Sequence, residues 1–142
     1  MKLWFSSLAA ITTLAVLPAQ DATVTVLHGV PGLPAPVEVF ANGSSLFTFD
    51  YGEQRGPLEL APGNYALEVR LNGATILNLN ASLAADTDYS VIAHLTDAGT
   101  PTLAAFVNST SPLALPSSRL YVRHTADAPA VAPVSAQRVP AA

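Results

Sequence analysis

The sequence predicts an all-β fold, an antiparallel β-sandwich of about seven or eight short strands. Three observations carry that expectation. Between Thr23 and Val107, apolar and polar residues alternate over many short runs, which puts alternate side chains on opposite faces of a strand. Turn-forming pairs punctuate those runs: Asn42-Gly43, Pro62-Gly63 and Asn72-Gly73. No stretch beyond Ala19 shows a helical apolar period, so essentially no helix is expected.

The clearest stretch is Leu58 to Gly73, LELAPGNYALEVRLNG. Pro62 presets φ for the first corner of a turn and Gly63 supplies the positive φ of the next. Tyr65, Leu67, Val69 and Leu71 then alternate with Ala66, Glu68 and Arg70, one set for the core and one for water. Asn72-Gly73 closes the strand into a hairpin, because a type I′ turn needs φ > 0 twice.

The chain starts outside this pattern. Met1-Lys2 is a short basic start, Leu3 to Leu17 is apolar, and Leu17-Pro18-Ala19 offers a cleavage point. That three-part pattern is a secretory signal over 1–19. The run is short for a membrane span, which needs ~20 apolar residues. The mature chain is therefore expected in the extracytoplasmic space: periplasmic, secreted or at the cell surface, with no membrane contact after cleavage.

The elements follow in order. Thr23 to His28 is a β-branched run and the first strand. Gly29 to Pro36 carries three prolines and two glycines and cannot be a central strand. Val37 to Ala41 is a strand that Asn42-Gly43 turns back on the next. That next strand runs from Ser45 to about Tyr51, with Phe47, Phe49 and Tyr51 facing the core. Gly52 to Gly56 is a polar break, and Leu58-Glu59-Leu60 leads into the central hairpin. Leu77, Leu79, Ala81 and Leu83 alternate with Asn78, Asn80 and Ser82 in the next strand, and Tyr89, Val91, Ala93 and Leu95 mark another. Thr102 to Val107 is the last strand of a domain over 23–107. The overall pattern is that of an immunoglobulin-like or transthyretin-like sandwich.

Asn108 to Ser118 has linker composition. Arg119 to His124, RLYVRH, then repeats the alternation of Val24 to His28 and ends on the same residue type. It reads as an extra strand over 119–125, the start of a second repeat, pairing along an edge of the one sandwich. Residues 126–142 are mostly Ala, Pro and Val and read as a disordered tail.

Composition narrows the function. The chain has no cysteine, which rules out disulfides, zinc–thiolate sites and cysteine catalysis. Net charge is −4, and Lys2 is the only lysine. The arginines are scattered, so there is no basic stripe for a nucleic acid.

HTADAPAV at His124 to Val131 is similar to the His-x-x-Pro-Asp-Ala-Pro-x-Val signature of domain-of-unknown-function family 4397. HGVPGLPAPVEVFANG at His28 to Gly43 looks like a diverged copy of that signature, followed by the family's Val-Asp-Val-Tyr-Val-Asn-Gly. FDYGEQRGPLELAPGNYALEVR at Phe49 to Arg70 and DTDYSVIAHL at Asp86 to Leu95 resemble two further family segments. Glu38 stands where the signature has Asp, and the second copy lacks the Val-Tyr-Val-Asn-Gly continuation. The resemblance implies an exported β-sandwich, often in tandem and mostly bacterial. It implies no activity and no functional residues.

Three histidines, His28, His94 and His124, supply enough imidazoles for a metal site. The reading preferred is structural: strand-end imidazoles that hold the Pro-rich loop through both ring nitrogens. Asp86, Asp88 and Asp97 lack the glycine and closing glutamate of a calcium loop and read as solvated turn carboxylates. Asp50, Glu53 and Glu59 could be a carboxylate pair for glycoside hydrolysis, but no nucleophile elbow, metal motif or phosphate loop accompanies them. The glycosylation patterns at Asn42, Asn80 and Asn108 are incidental.

The expectation is a non-catalytic module with no cofactor and no metal. Its partner is a protein or surface; the alternative is a small-ligand module for carbohydrate. Phe40 and Phe106 fall on the off-core phase of their strands and, with His28 and His124, are the candidate binding or loop-organising positions.

Overall fold

The computed structural model describes residues 19–33 and 35–125. The tail over 126–142, and the signal segment but for Ala19, lie outside the described residues. Eight strands form: β1 (Ala22–His28), β2 (Val37–Ala41), β3 (Ser44–Phe49), β4 (Gln54–Leu60), β5 (Gly63–Leu71), β6 (Ala74–Leu83), β7 (Asp88–Leu95) and β8 (Pro101–Asn108). No helix occurs among the described residues.

The strands make two four-stranded sheets, β4-β1-β7-β8 and β3-β2-β5-β6. Alternation decides their packing. Val24 and Val26 of β1, Val37 and Val39 of β2, Leu67 and Val69 of β5, Leu77 of β6 and Val91 of β7 all point between the sheets and are buried. The β-sandwich that the sequence predicts is the fold observed. Every pairing is antiparallel except one: β1 and β7 run parallel, with Val24 beside Tyr89 and Val26 beside Val91.

The core residues expected from alternation hold their phase. Val69 is buried, as are Leu67, Leu77, Val91 and Ala93, and Leu79 is half-buried. Asn78 and Asn80 are exposed on the outer face. Glu68 and Arg70 also point outward but are half-buried, because each covers the other in an ion pair of 2.8 Å. Ile92 was not among the expected core positions. It lies on the outer face of the first sheet and is still buried, flanked by Leu27 and Ala104 on the neighbouring strands.

Turn chemistry fixes the registers. Asn42 and Gly43 sit at φ of 50° and 80°, and Asn72 and Gly73 at 50° and 82°. Both pairs are therefore in the left-handed region that a type I′ hairpin requires. The polar turn before β7 is closed by a tyrosine. Tyr89 accepts a hydrogen bond from the Ala84 backbone N–H at 3.0 Å, and its hydroxyl faces the Ser82 carbonyl at 3.5 Å. This ties the corner between the two sheets to the buried ring of Tyr89.

Arg119 to His124 departs from expectation. The segment takes no strand and makes no ladder, and Val122 is 67% exposed. Side chains attach it instead. The Tyr121 hydroxyl accepts from the Ser109 N–H and faces the Ser109 carbonyl. Arg119 donates to the Ser109 and Ser111 carbonyls, and Arg123 to the Asn108 side chain. The backbone groups just past β8 are thus taken up by side chains, which leaves them unavailable for strand pairing.

Candidate functional site

The positions singled out in the sequence lie apart. His28 ends β1 and faces inward, while His124 is exposed in the coil beyond β8. Phe40 lies on the outer face of the second sheet and Phe106 on the outer face of the first. The structure brings none of these four together. Among the described residues, no group of three His, Asp or Glu side chains is close enough to hold a metal ion.

Neither phenylalanine offers a bare ring. The Arg70 guanidinium lies 3.9 Å from the Phe40 centroid, and that of Arg123 lies 4.8 Å from Phe106. Each cation covers an aromatic face that a sugar would otherwise stack on.

His28 is different. Alternation along β1 puts Ala22, Val24, Val26 and His28 on the buried face, and His28 is only 2% exposed. Its backbone is pinned at both groups. The N–H donates to the Glu53 carbonyl at 3.1 Å, and the carbonyl accepts from the Gly52 N–H at 2.8 Å. Just beyond it, Gly29 packs so tightly that an added Cβ would stand 2.8 Å from the Ala93 carbonyl oxygen. Only glycine fits there. The chain therefore leaves β1 along one fixed path.

The imidazole latches the start of the Pro-rich loop. Nδ1 accepts a hydrogen bond from the Val30 N–H at 3.3 Å. The sequence suggested that both ring nitrogens hold the loop. Only Nδ1 does, since Nε2 is buried with no partner among the described residues. An Nδ1 that accepts carries no proton, so the neutral ring has its hydrogen on Nε2. Burial holds the His28 pKa below its ordinary value, and the nearby Asp50 carboxylate offsets part of that.

Above this ring lies a cleft of about 280 Å³ lined by His28, Leu33, Ala35, Pro36, Asp50 and Tyr51. One wall is the loop between β1 and β2. The other is the turn Asp50 to Glu53, closed by the Glu53 N–H to the Asp50 carbonyl at 3.0 Å. Gly52 takes a φ of 80° at the third position, the mark of a type II turn. Glu53 braces the turn, accepting from the Asp50 N–H and from Arg55, each at 2.9 Å.

Tyr51 occupies the second position of that turn. The sequence put it in the core with Phe47 and Phe49, by extending their alternation. In the structure β3 stops at Phe49, which is buried, and Tyr51 is 60% exposed. A type II corner projects its second residue away from the strand plane, so the alternation no longer applies. The ring of Tyr51 stands edge-on to His28, at 6.1 Å and 88°. Asp-Tyr-Gly-Glu was the available signal: a glycine two places after an aspartate marks such a turn.

The family model for a domain of unknown function, DUF4397, matches residues 22–133. The chain belongs to that family. No curated protein matches it. Within this DUF4397 domain the match takes in the whole sandwich, the cleft and the Arg119–His124 segment.

Proposed function

We propose that this DUF4397 chain is an exported, non-catalytic β-sandwich module with a structural or protein-interaction role. It works at the cell surface or elsewhere in the extracytoplasmic space, after loss of residues 1–19. The basic start, the apolar run and the Leu17-Pro18-Ala19 end support export. The likeness of Arg119–His124 to the end of β1 supports an origin in tandem repeats.

The observation that carries the interaction reading is the edge strand β6. It is ten residues long, Ala74–Leu83, and holds no charge, proline or glycine. It pairs only with β5 among the described residues. The other edges are blunted: β4 contains Pro57, β8 begins at Pro101, and β3 has six residues. A long neutral edge presents unpaired backbone groups to a partner that lends a strand.

Cross-linking tests this. The chain has no cysteine, so Asn80→Cys on the outer face of β6 gives a single thiol. A thiol cross-linker on the exported protein should give a species larger than the monomer, and Asn78→Lys, which charges the edge, should abolish it. A cross-linked yield that ignores Asn78→Lys, or a monomer alone, contradicts the reading.

The carbohydrate reading is second. The capped rings of Phe40 and Phe106 weigh against those positions as platforms. One observation favours it elsewhere, the exposed Tyr51 ring over His28.

A further inference from the structure

We propose that the cleft between His28 and Tyr51 is a binding site for a neutral, hydroxyl-rich ligand, a single sugar residue. The site is separate from the β6 edge and does not depend on it.

The tautomer of His28 sets the first requirement. Val30 holds Nδ1 as an acceptor, so Nε2–H is a donor, and it is buried without an acceptor among the described residues. A buried donor seeks an oxygen. The second requirement comes from Asp50, whose carboxylate lines the same cleft and acts on His28. A carboxylate accepts hydrogen bonds and repels anions. A ligand carboxylate or phosphate would satisfy Nε2–H but would stand against Asp50. Protonating the imidazole to hold an anion would also break the bond from Val30, since Nδ1 would then carry a hydrogen.

A hydroxyl resolves both. It accepts from Nε2–H and donates toward Asp50, and adjacent hydroxyls can divide the two tasks. The remaining walls are apolar: Leu33, Ala35, Pro36 and the exposed face of Tyr51. A molecule with hydroxyls on its edge and C–H groups on its face matches that division, and this is the surface of a pyranose ring. The cleft, about 280 Å³, has room for one ring and not for a buried chain.

His28 lines the cleft, yet its Nε2 has almost no exposure of its own. Contact with a ligand oxygen therefore requires the rim to open by a side-chain movement. Tyr51, 60% exposed at a turn corner, is the side chain free to make it. The same ring then covers the face of the sugar.

The test uses the full chain and a panel of methyl α- and β-glycosides of common hexoses and hexosamines. Binding is followed by the ring ¹⁵N resonances of His28 and the side-chain resonances of Tyr51. At least one glycoside should shift both sets in a saturable way. Tyr51→Ala, at an exposed position, should weaken that glycoside by about tenfold through loss of the stacking contact. Asp50→Asn should weaken it too, while Phe40→Ala should leave it unchanged. Sodium acetate and inorganic phosphate should not bind. The proposal is overturned if no glycoside shifts His28, if Tyr51→Ala binds as well as wild type, or if the anions bind and the sugars do not. The cross-linking behaviour of β6 is unaffected by any of these outcomes, so the two readings fail separately.

Discussion

The rings of His28 and Tyr51 meet edge to face, 6.1 Å apart, although one is 2% exposed and the other 60%. A buried side chain at the end of β1 and a free one at a turn corner thus share one contact. The buried partner latches the loop through Nδ1, and the free one forms the rim of the cleft. One residue of the pair is fixed by the fold and the other stands free at its surface.

Stability should depend on the protonation of His28. Its folded pKa is lowered by burial, so the unfolded chain binds a proton at higher pH than the folded chain does. The stability it lends is whole above the ordinary histidine value, roughly 6.5, and declines as pH falls toward the folded value. His28→Asn keeps an acceptor for the Val30 N–H and removes the titration. Urea denaturation of the two proteins between about pH 7 and pH 5 should show wild type losing more stability than the variant.

Gly29 should tolerate no side chain. Its N–H donates to the Ala93 carbonyl at 2.8 Å, and a Cβ would meet that same oxygen at 2.8 Å. Gly29→Ala should destabilise by about 1–3 kcal/mol through forced backbone shifts. Gly32→Ala meets no neighbour within 4 Å and should suffer only from its φ of 80°, a strain of about 1 kcal/mol. Equal melting temperatures for the two variants would contradict the packing described around Gly29.

Tyr89→Phe removes a hydroxyl that serves the Ala84 N–H and the Ser82 carbonyl. Equilibrium unfolding should register a loss of about 1 kcal/mol. The ring itself stays buried, so the fold should persist with unchanged far-ultraviolet circular dichroism.

Val69 and Arg70 are neighbours in β5 with opposite directions. Val69→Ala should cost about 1–3 kcal/mol by lost transfer energy and a cavity. Arg70→Ala loses a half-exposed ion pair with Glu68 and the cover on Phe40, and should cost clearly less than Val69→Ala, because solvent screens the pair. The reverse order would place the alternation of β5 one residue out.

Much of the fold was legible because its signals are local. Asn42-Gly43 and Asn72-Gly73 each specify a hairpin, and the alternation of Val37 to Ala41 and Tyr65 to Leu71 specifies which face is buried. The parallel pairing of β1 with β7 was not legible, because it joins residues 65 positions apart, Thr23 to Asp88 for one, with no local turn to announce it. Ile92 was missed because its burial depends on Leu27 and Ala104, strand neighbours that no periodicity names. The cleft was half legible. His28 stood out as a strand-end histidine, but Tyr51 was hidden by an alternation that stops at the first residue of the Asp50 turn. Arg119–His124 carries strand-like alternation, yet its arginines and tyrosine fasten to the end of β8 by side chains.

The tautomer of His28 is the most direct test, because the loop latch at Nδ1 and the donor at Nε2 both follow from it. Long-range ¹H–¹⁵N correlation at neutral pH reads it. The neutral ring should carry its hydrogen on Nε2 and leave Nδ1 unprotonated. A ring protonated at Nδ1 would take the acceptor from Val30 and the donor from the cleft, and would contradict that assignment.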